Sequence, residues 1–279
     1  MSNVLITVIT VCLNAEKDIG YTINSILEQD FCGYEYLIKD GGSDDRTISI
    51  AESYAQRFRE KNIPFRIVCE KDKGIYDAMN RAADIAAGEW VMYMNAGDAL
   101  FDKSVLTRLS SLISGDADVI YGDAVCMEKG RYKLLRAGSM EDLKYVNPIC
   151  HQASLVRKDA VMEYRFDIGY KISADFDMFL RMYKSGVKRF KKLDETFCIY
   201  RLGGISEKRI SEREKEFDDS RKSNGLKRAS FPHLQIIRIC VASGIRSLAK
   251  KILGNGFYSE RRGWYSEKDK AVTAVKEDA

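Results

Sequence analysis

The period of hydrophobic and polar positions changes along the chain in a regular way. Leu5 to Cys12 is almost unbroken apolar sequence, which predicts a strand buried on both faces. Between Ala15 and Gln29 the apolar residues Ile19, Ile23, Ile26 and Leu27 recur at helical spacing, with Asn14 placed to cap the helix. Tyr34 to Lys39 predicts a second strand. It is followed by the turn-rich run Asp40 to Asp45 and a helix from Arg46 to Phe58 carrying Ile48, Ala51, Ala55 and Phe58 on one face. Phe65 to Cys69 predicts a third strand and Trp90 to Met94 a fourth. Between them, Ile75 to Ala87 reads as a helix with Ile75, Met79, Ala82 and Ala86 on its buried stripe and Gly88 as its stop.

This alternation predicts an α/β fold with a parallel sheet covered on both faces and ligands beyond the C-terminal ends of the strands. The loops at that edge carry Asn14, then Asp40 with Asp44 and Asp45, then Asp72 and Lys73, then Asn95 and Asp98. Asp, Asn and Gly are also ordinary turn residues, but four such loops on one rim point to a ligand site. The second half is less regular. Leu106, Leu109, Leu112 and Ile113 mark a helix, Asp118 to Tyr121 a strand, and Met127 to Asn147 hairpin strands, so the sheet becomes mixed. A helix from Ser173 to Ser185 turns Phe176, Phe179, Leu180 and Tyr183 inward. Short strands near Val187 to Leu193 and Phe197 to Tyr200 follow, and the pattern beyond Ser206 is helical.

Composition narrows the class. With 279 residues, 45% of them apolar and 31% charged, and only 3 Pro, the chain is an ordinary globular one and not disordered, collagenous or disulfide-stapled. Val4 to Leu13 falls short of the roughly 18 apolar residues that span a bilayer. It also lacks the basic flank and cleavage site of a signal sequence, so the expected location is the cytoplasm. Seven cysteines without a CxxC pair and only two histidines argue against disulfides and zinc, so any metal would be a hard ion such as Mg or Mn on carboxylates. The formal net charge is +4, but the segment from Arg181 to Arg262 holds 21 Lys or Arg against 9 Asp or Glu, which suggests a surface for an anionic partner. GxGxxG after a strand, the Walker loop and GxSxG are all missing, which removes the dinucleotide, P-loop and nucleophile-elbow readings. Several carboxylates and a lysine on one rim instead suit a phosphorylated ligand held partly through a cation.

Several spaced motifs then carry a resemblance: ITVCLN at Ile9 to Asn14, IKDGGSDDRT at Ile38 to Thr47, DKGIYDAMNRA at Asp72 to Ala82 and MNAGDAL at Met94 to Leu100. In this order and at these separations they resemble the nucleotide-sugar half of inverting family-two glycosyltransferases with the GT-A fold. HQASLVRKD at His151, SADFDMFLRM at Ser173 and YRLGGIS at Tyr200 resemble the acceptor-side motifs of the bacterial polysaccharide, colanic-acid-type branch. The resemblance covers residues 3 to 206. It implies a Rossmann-like mixed sheet flanked by helices in a catalytic domain over 1–205, with a nucleotide half over 1–100, and a basic helical C-terminal extension over 206–279.

The same resemblance implies roles. Asp40 would accept the N3 hydrogen of uracil, a task suited to a group that only accepts, and Asp72 and Lys73 would lie beside base and ribose. Asn14, Asn95 and Arg201 would complete the nucleotide-sugar site, Arg201 on a glycine-containing loop that folds over the diphosphate. Asp98 would hold Mg or Mn, with Asn95 and Gly97 standing where the fuller DxDD motif has acids. Asp175 would be the general base, with Ala174 in place of the usual Glu, while Asp177 would pair with Arg181 at i+4. His151 and Gln152 would border the acceptor, a glycan or a lipid-linked one.

Residues 231–253 place Leu234, Ile237, Val241, Ile245, Leu248 and Ile252 on one stripe, with Arg238, Arg246, Lys250 and Lys251 around it. Such a helix either lies on an anionic membrane at the inner face or docks on the catalytic domain. Nucleic acid is not expected, because the interleaved aromatic and basic residues of a single-strand platform are missing. Two rivals to a transferase stand beside it. One is a sugar-nucleotide nucleotidyltransferase, which opens with a Gly-rich basic loop that VCLNAEKD lacks; the other is a noncatalytic binding module for a nucleotide sugar or an anionic surface.

Overall fold

The computed structural model describes residues 4–113 and 116–226. Its N-terminal half is built as the sequence predicts. The strands β1 (Ile6–Cys12), β2 (Tyr34–Asp40), β3 (Phe65–Cys69) and β4 (Trp90–Tyr93) pair in parallel in the order β3-β2-β1-β4. Between them run α1 (Ile19–Leu27), α2 (Thr47–Ser53), α3 (Ala55–Glu60) and α4 (Ile75–Ile85). β2 is buried along its whole length and β1 up to Cys12; β1 reads as an almost continuous apolar run, whereas β2 buries Glu35, Lys39 and Asp40 among its apolar residues.

The second half adds β5 (Ala99–Leu100), α5 (Val105–Leu112), the hairpin β6 (Val119–Glu128) and β7 (Arg131–Leu135), β8 (Ser154–Arg157), α6 (Lys158–Tyr164), α7 (Ala174–Lys184) and β9 (Phe190–Arg201). The order continues β4-β8-β6-β9-β5, with β7 on β6, and β8, β5 and β7 run antiparallel to their neighbours. The sheet is therefore mixed. One apolar cluster fills the face covered by α1 and α5, and a second fills the face covered by α4, α6 and α7. Two helices close the described chain, α8 (Ile205–Lys208) and α9 (Ile210–Ser223). α9 lies against α7 through Phe217 on Phe176, with ring centroids 4.5 Å apart, and through the buried Arg221.

Several local expectations are corrected. Asn14 does not cap α1, which starts five residues later behind Asp18; its backbone is left-handed, with φ 51°. The helix expected over 46–58 breaks at Tyr54 into α2 and α3. Ile75 and Tyr183, expected inward, are 37% and 39% exposed, and Tyr76 takes the buried place beside Ile75. The two short strands expected near 187–200 are one strand, β9, whose register against β6 shifts around Gly122. A Cβ at Gly122 would stand 2.5 Å from the carbonyl oxygen of Glu195, so the irregularity rests on the lack of a side chain there. The amphipathic stretch 231–253 lies outside the described residues. Among those described, no helix is long and apolar enough to cross a membrane.

Candidate active site

The strand order reverses between β1 and β4, and in an open α/β sheet ligands bind at that switch point beyond the C-terminal strand ends. A cavity of about 1760 Å³ opens there. That exceeds the roughly 300–1,000 Å³ of a typical small-molecule pocket and leaves room for two substrates. Its lining comes from the loops after β1, β3 and β4, with Asn14, Asp72, Lys73, Asn95 and Asp98, and from His151, Gln152, Asp175 and Arg201 with residues of α9. Of the residues given a role at donor, metal or acceptor in the sequence, all but Asp40 line this cavity; Asp44 and Asp45, expected on the same rim, do not.

Asp40 ends β2 with its side chain buried. Its Oδ1 accepts the backbone N–H of Gly42 at 2.8 Å and of Ser43 at 2.7 Å, while Oδ2 accepts the Ser43 hydroxyl at 2.5 Å. The thiols of Cys69 and Cys12 complete the shell at 3.2 and 3.5 Å. Burial alone would raise the pKa of this carboxyl, but the bonds from Ser43, Cys69 and Gly42 outweigh it and hold the pKa below the usual value. This carboxylate builds the turn, and the expected base-reading position is not on the cavity wall.

Asp72 is. Its Oδ1 accepts the N–H of Gly74 at 2.9 Å, and its Oδ2 lies 3.6 Å from the buried ammonium of Lys39. That oxygen stands only 2.9 Å from where a Cβ on Gly41 would be, so the carboxylate occupies the space a side chain at 41 would take. Lys39 in turn donates to the carbonyls of Asp40 and Glu70, which ties the ends of β2 and β3 together. Asn14 does similar work between loops, accepting from Asp44 N and donating its own N–H to Ser43 Oγ.

Asp98 is 4% exposed and bridges three segments: Oδ1 accepts the N–H of Arg201 and Oδ2 the side-chain amide of Gln152, both at 2.8 Å. Burial pushes its pKa up to about 7 against the pull of these bonds. Gln152, expected at the acceptor, thus spends its amide on Asp98. The Arg201 guanidinium pairs with Asp18 across the rim. Among the described residues no group of three or more His, Cys, Asp or Glu could cage a metal. The residues present do fit a cation shared with a ligand: the Oδ1 of Asn95 is buried without a hydrogen-bond partner, three positions from Asp98. One carboxylate and one carboxamide suit Mg or Mn when phosphate oxygens supply the remainder.

Asp175, also on the cavity lining, sits in the first turn of α7 and its Oδ1 faces the hydroxyl of Tyr76 at 3.3 Å. His151 is packed between Tyr93, Phe166 and Phe179, with its Nε2 buried and unpartnered; burial lowers its pKa against the opposing charge of Asp175. Asp177 pairs with Arg181 at 2.7 Å, as the i+4 spacing predicts, and takes no part in the cavity. Sequence reasoning missed Asp18, Gln152 as a partner of Asp98, and Tyr76, which stood off the stripe drawn through Ile75, Met79, Ala82 and Ala86.

Residues 7–179 match the family described as Glycosyl transferase family 2. The chain belongs to that family. A relative named PGL/p-HBAD biosynthesis glycosyltransferase, from Mycobacterium tuberculosis, is 29% identical over 210 residues, covering 74% of this chain and 80% of that protein. Among solved structures, S. aureus TarS 1-349 in complex with UDP aligns with a TM-score of 0.59 at 19% identity, over 77% of this chain and 65% of the other. The mannosyltransferase PcManGT from Pyrobaculum calidifontis, in complex with GDP-Man and Mn2+, aligns at 0.58 and 16% identity, over 98% and 75%. At these identities the structural likeness speaks for the fold, and the fold is the GT-A arrangement typical of this glycosyltransferase family.

Proposed function

We propose that this family-two chain transfers a hexosyl unit from a UDP-sugar to a hydroxyl of a glycan or lipid-linked acceptor, with inversion. The observation that carries the reading is that one cavity gathers Asp72, Asn95 and Asp98, taken as its donor wall, with Asp175, taken as its acceptor wall. Inversion needs nucleophile and leaving group on opposite faces of the anomeric carbon, so the reading sets the sugar between Asp175 and the groups that hold the diphosphate. The acceptor oxygen bonds to that carbon, the bond to the diphosphate oxygen breaks with its electron pair leaving on UDP, and the acceptor proton passes to the Asp175 carboxylate. General-base help of this kind is worth roughly 100- to 10,000-fold.

Base recognition passes from Asp40 to Asp72, the carboxylate exposed to the cavity at the end of β3. Asp98 and Asn95 Oδ1 would hold Mg or Mn together with the donor diphosphate, and the cation when bound supplies Lewis-acid stabilisation of the leaving group. Arg201 exchanges Asp18 for the diphosphate on donor binding. The acceptor wall combines Ile149, Ile168, Ile172 and Phe217 with Lys171 and Arg209. Apolar surface beside cations supports an acceptor carried on an anionic lipid, and with it peripheral residence of the enzyme on the inner membrane face.

The test is UDP release from a panel of UDP- and GDP-sugars with extracts of candidate acceptors, comparing wild type with Asp175→Asn. Turnover with a UDP-sugar that falls at least about 100-fold in the variant supports the reading; undiminished turnover removes the base assignment.

A further inference from the structure

A carboxylate that acts as a base must be held in one orientation, because proton transfer depends on placement to a few tenths of an ångström. Asp175 has no neighbouring Glu to do this, since Ala174 stands before it. Among the described residues, the hydroxyl of Tyr76 is the one side chain that hydrogen-bonds it. We propose that Tyr76 is the positioning residue of the general base, a strut from the donor wall that fixes Asp175 through its Oδ1 and leaves Oδ2 to take the acceptor proton. The inference rests on the base assignment made above.

The geometry of the strut is set by packing. Tyr76 is 7% exposed, and its ring lies along that of Phe166, with centroids 5.6 Å apart and planes 27° from parallel. Phe166 is itself wedged edge-on against Tyr93 and His151. Burial and the stack on Phe166 hold the ring in place and aim its hydroxyl at Asp175. The phenol stays protonated: burial, then the charge of Asp175, raise its pKa well above the ordinary value, so it remains a donor to the carboxylate. His151 sits nearby but forms no such bond, enclosed as it is by aromatic rings. At 3.3 Å the contact is longer than the usual 2.7–2.8 Å, a spacing common where a catalytic hydrogen bond shortens on substrate binding.

The strut also has a direction. Tyr76 lies two residues after Gly74, at the start of the helix whose preceding turn, Asp72 and Lys73, faces the donor. A donor seated on that turn steadies the helix that holds the base, which links the two walls across 99 residues of sequence.

A double-mutant cycle tests this. Tyr76→Phe keeps the ring stack and removes the donor. Its kcat is expected to fall about ten- to a hundredfold, the loss of one bond to a charged group. The donor KM, the affinity for UDP and the thermal midpoint should stay near wild type. In the Asp175→Asn background, adding Tyr76→Phe should cost nothing further, because residues that act as a unit are not additive. Asp175→Asn inactive with Tyr76→Phe fully active overturns this inference alone, as does an equal loss in both backgrounds. Full activity in Asp175→Asn overturns the base assignment and the strut together.

Discussion

Gln152, just before β8, donates its side-chain amide to the buried carboxylate of Asp98 at 2.8 Å. The bond joins the turn after β4 to the segment before β8, and the Arg201 N–H on the other oxygen adds the end of β9. Three segments that are far apart in sequence thus share one buried carboxyl group, which ties them together at the cavity.

Removing that amide should therefore be felt first as stability. Gln152→Leu leaves one oxygen of Asp98 buried without a donor, at a cost of about 1–3 kcal/mol. Gln152→Glu should be worse at neutral pH, since it sets a second carboxylate against the first. Thermal unfolding of the two variants beside wild type checks both, and an unchanged midpoint in Gln152→Leu would show that the bridge carries no weight.

Asp40 provides the pH test. Its pKa lies below the ordinary carboxylate value in the folded chain, so the unfolded chain takes up the proton first as pH falls. The stability it contributes is complete above the ordinary value and is lost as pH drops through the folded one. Wild type should lose stability steeply below about pH 4. Asp40→Asn should be less stable at pH 7 and show a flatter acid limb in urea unfolding from pH 7 down to pH 3. Equal slopes in the two proteins would contradict the assignment of this carboxylate to the turn.

How much of this could be read beforehand follows from physical cause. β1 and β4 were legible because strands buried on both faces are nearly continuous apolar runs, β2 from its Tyr34, Tyr36 and Ile38 ahead of a turn-rich run, and α4 and α7 because their stripes repeat at helical spacing. The two halves of β9 were legible as separate short strands and its continuity was not, since Asp194 and Glu195 between them look like a turn. That Asp40 faces inward was equally invisible: every residue of β2 is buried, so alternation gives no direction for its last side chain. The rim as a whole was predictable from topology, but the pairings Gln152 with Asp98 and Tyr76 with Asp175 depend on packing between halves, which one-dimensional spacing does not encode.

Cation binding should depend on the nucleotide. With one carboxylate and one carboxamide from the protein, Mn2+ titrated onto the free chain should bind weakly, and saturating UDP should tighten it by about tenfold or more, with Mn2+ tightening UDP by the same factor. Electron paramagnetic resonance of free Mn2+ reads the first and calorimetry the second. Tight Mn2+ binding without UDP would mean that further protein ligands exist.

Two glycines separate the roles of site and scaffold. The backbone of Gly41 lies outside the left-handed region, so alanine fits it, but the new Cβ would stand 2.9 Å from Asp72 Oδ2. The atom in its way is the end of a side chain, so the carboxylate swings aside and the backbone stays where it is. Gly41→Ala should then weaken UDP binding about tenfold or more while the thermal midpoint holds, matching the effect of Asp72→Asn. At Gly88 the added Cβ would meet the backbone N of Thr7 at 2.5 Å and the carbonyl carbon of Ile6 at 2.7 Å, inside β1 itself. Nothing there can move cheaply. Gly88→Ala should lower stability by about 1–3 kcal/mol or more without a selective loss of UDP affinity. If instead Gly41→Ala binds UDP normally, Asp72 is not reading the base, and the donor wall must recognise its nucleotide through another group.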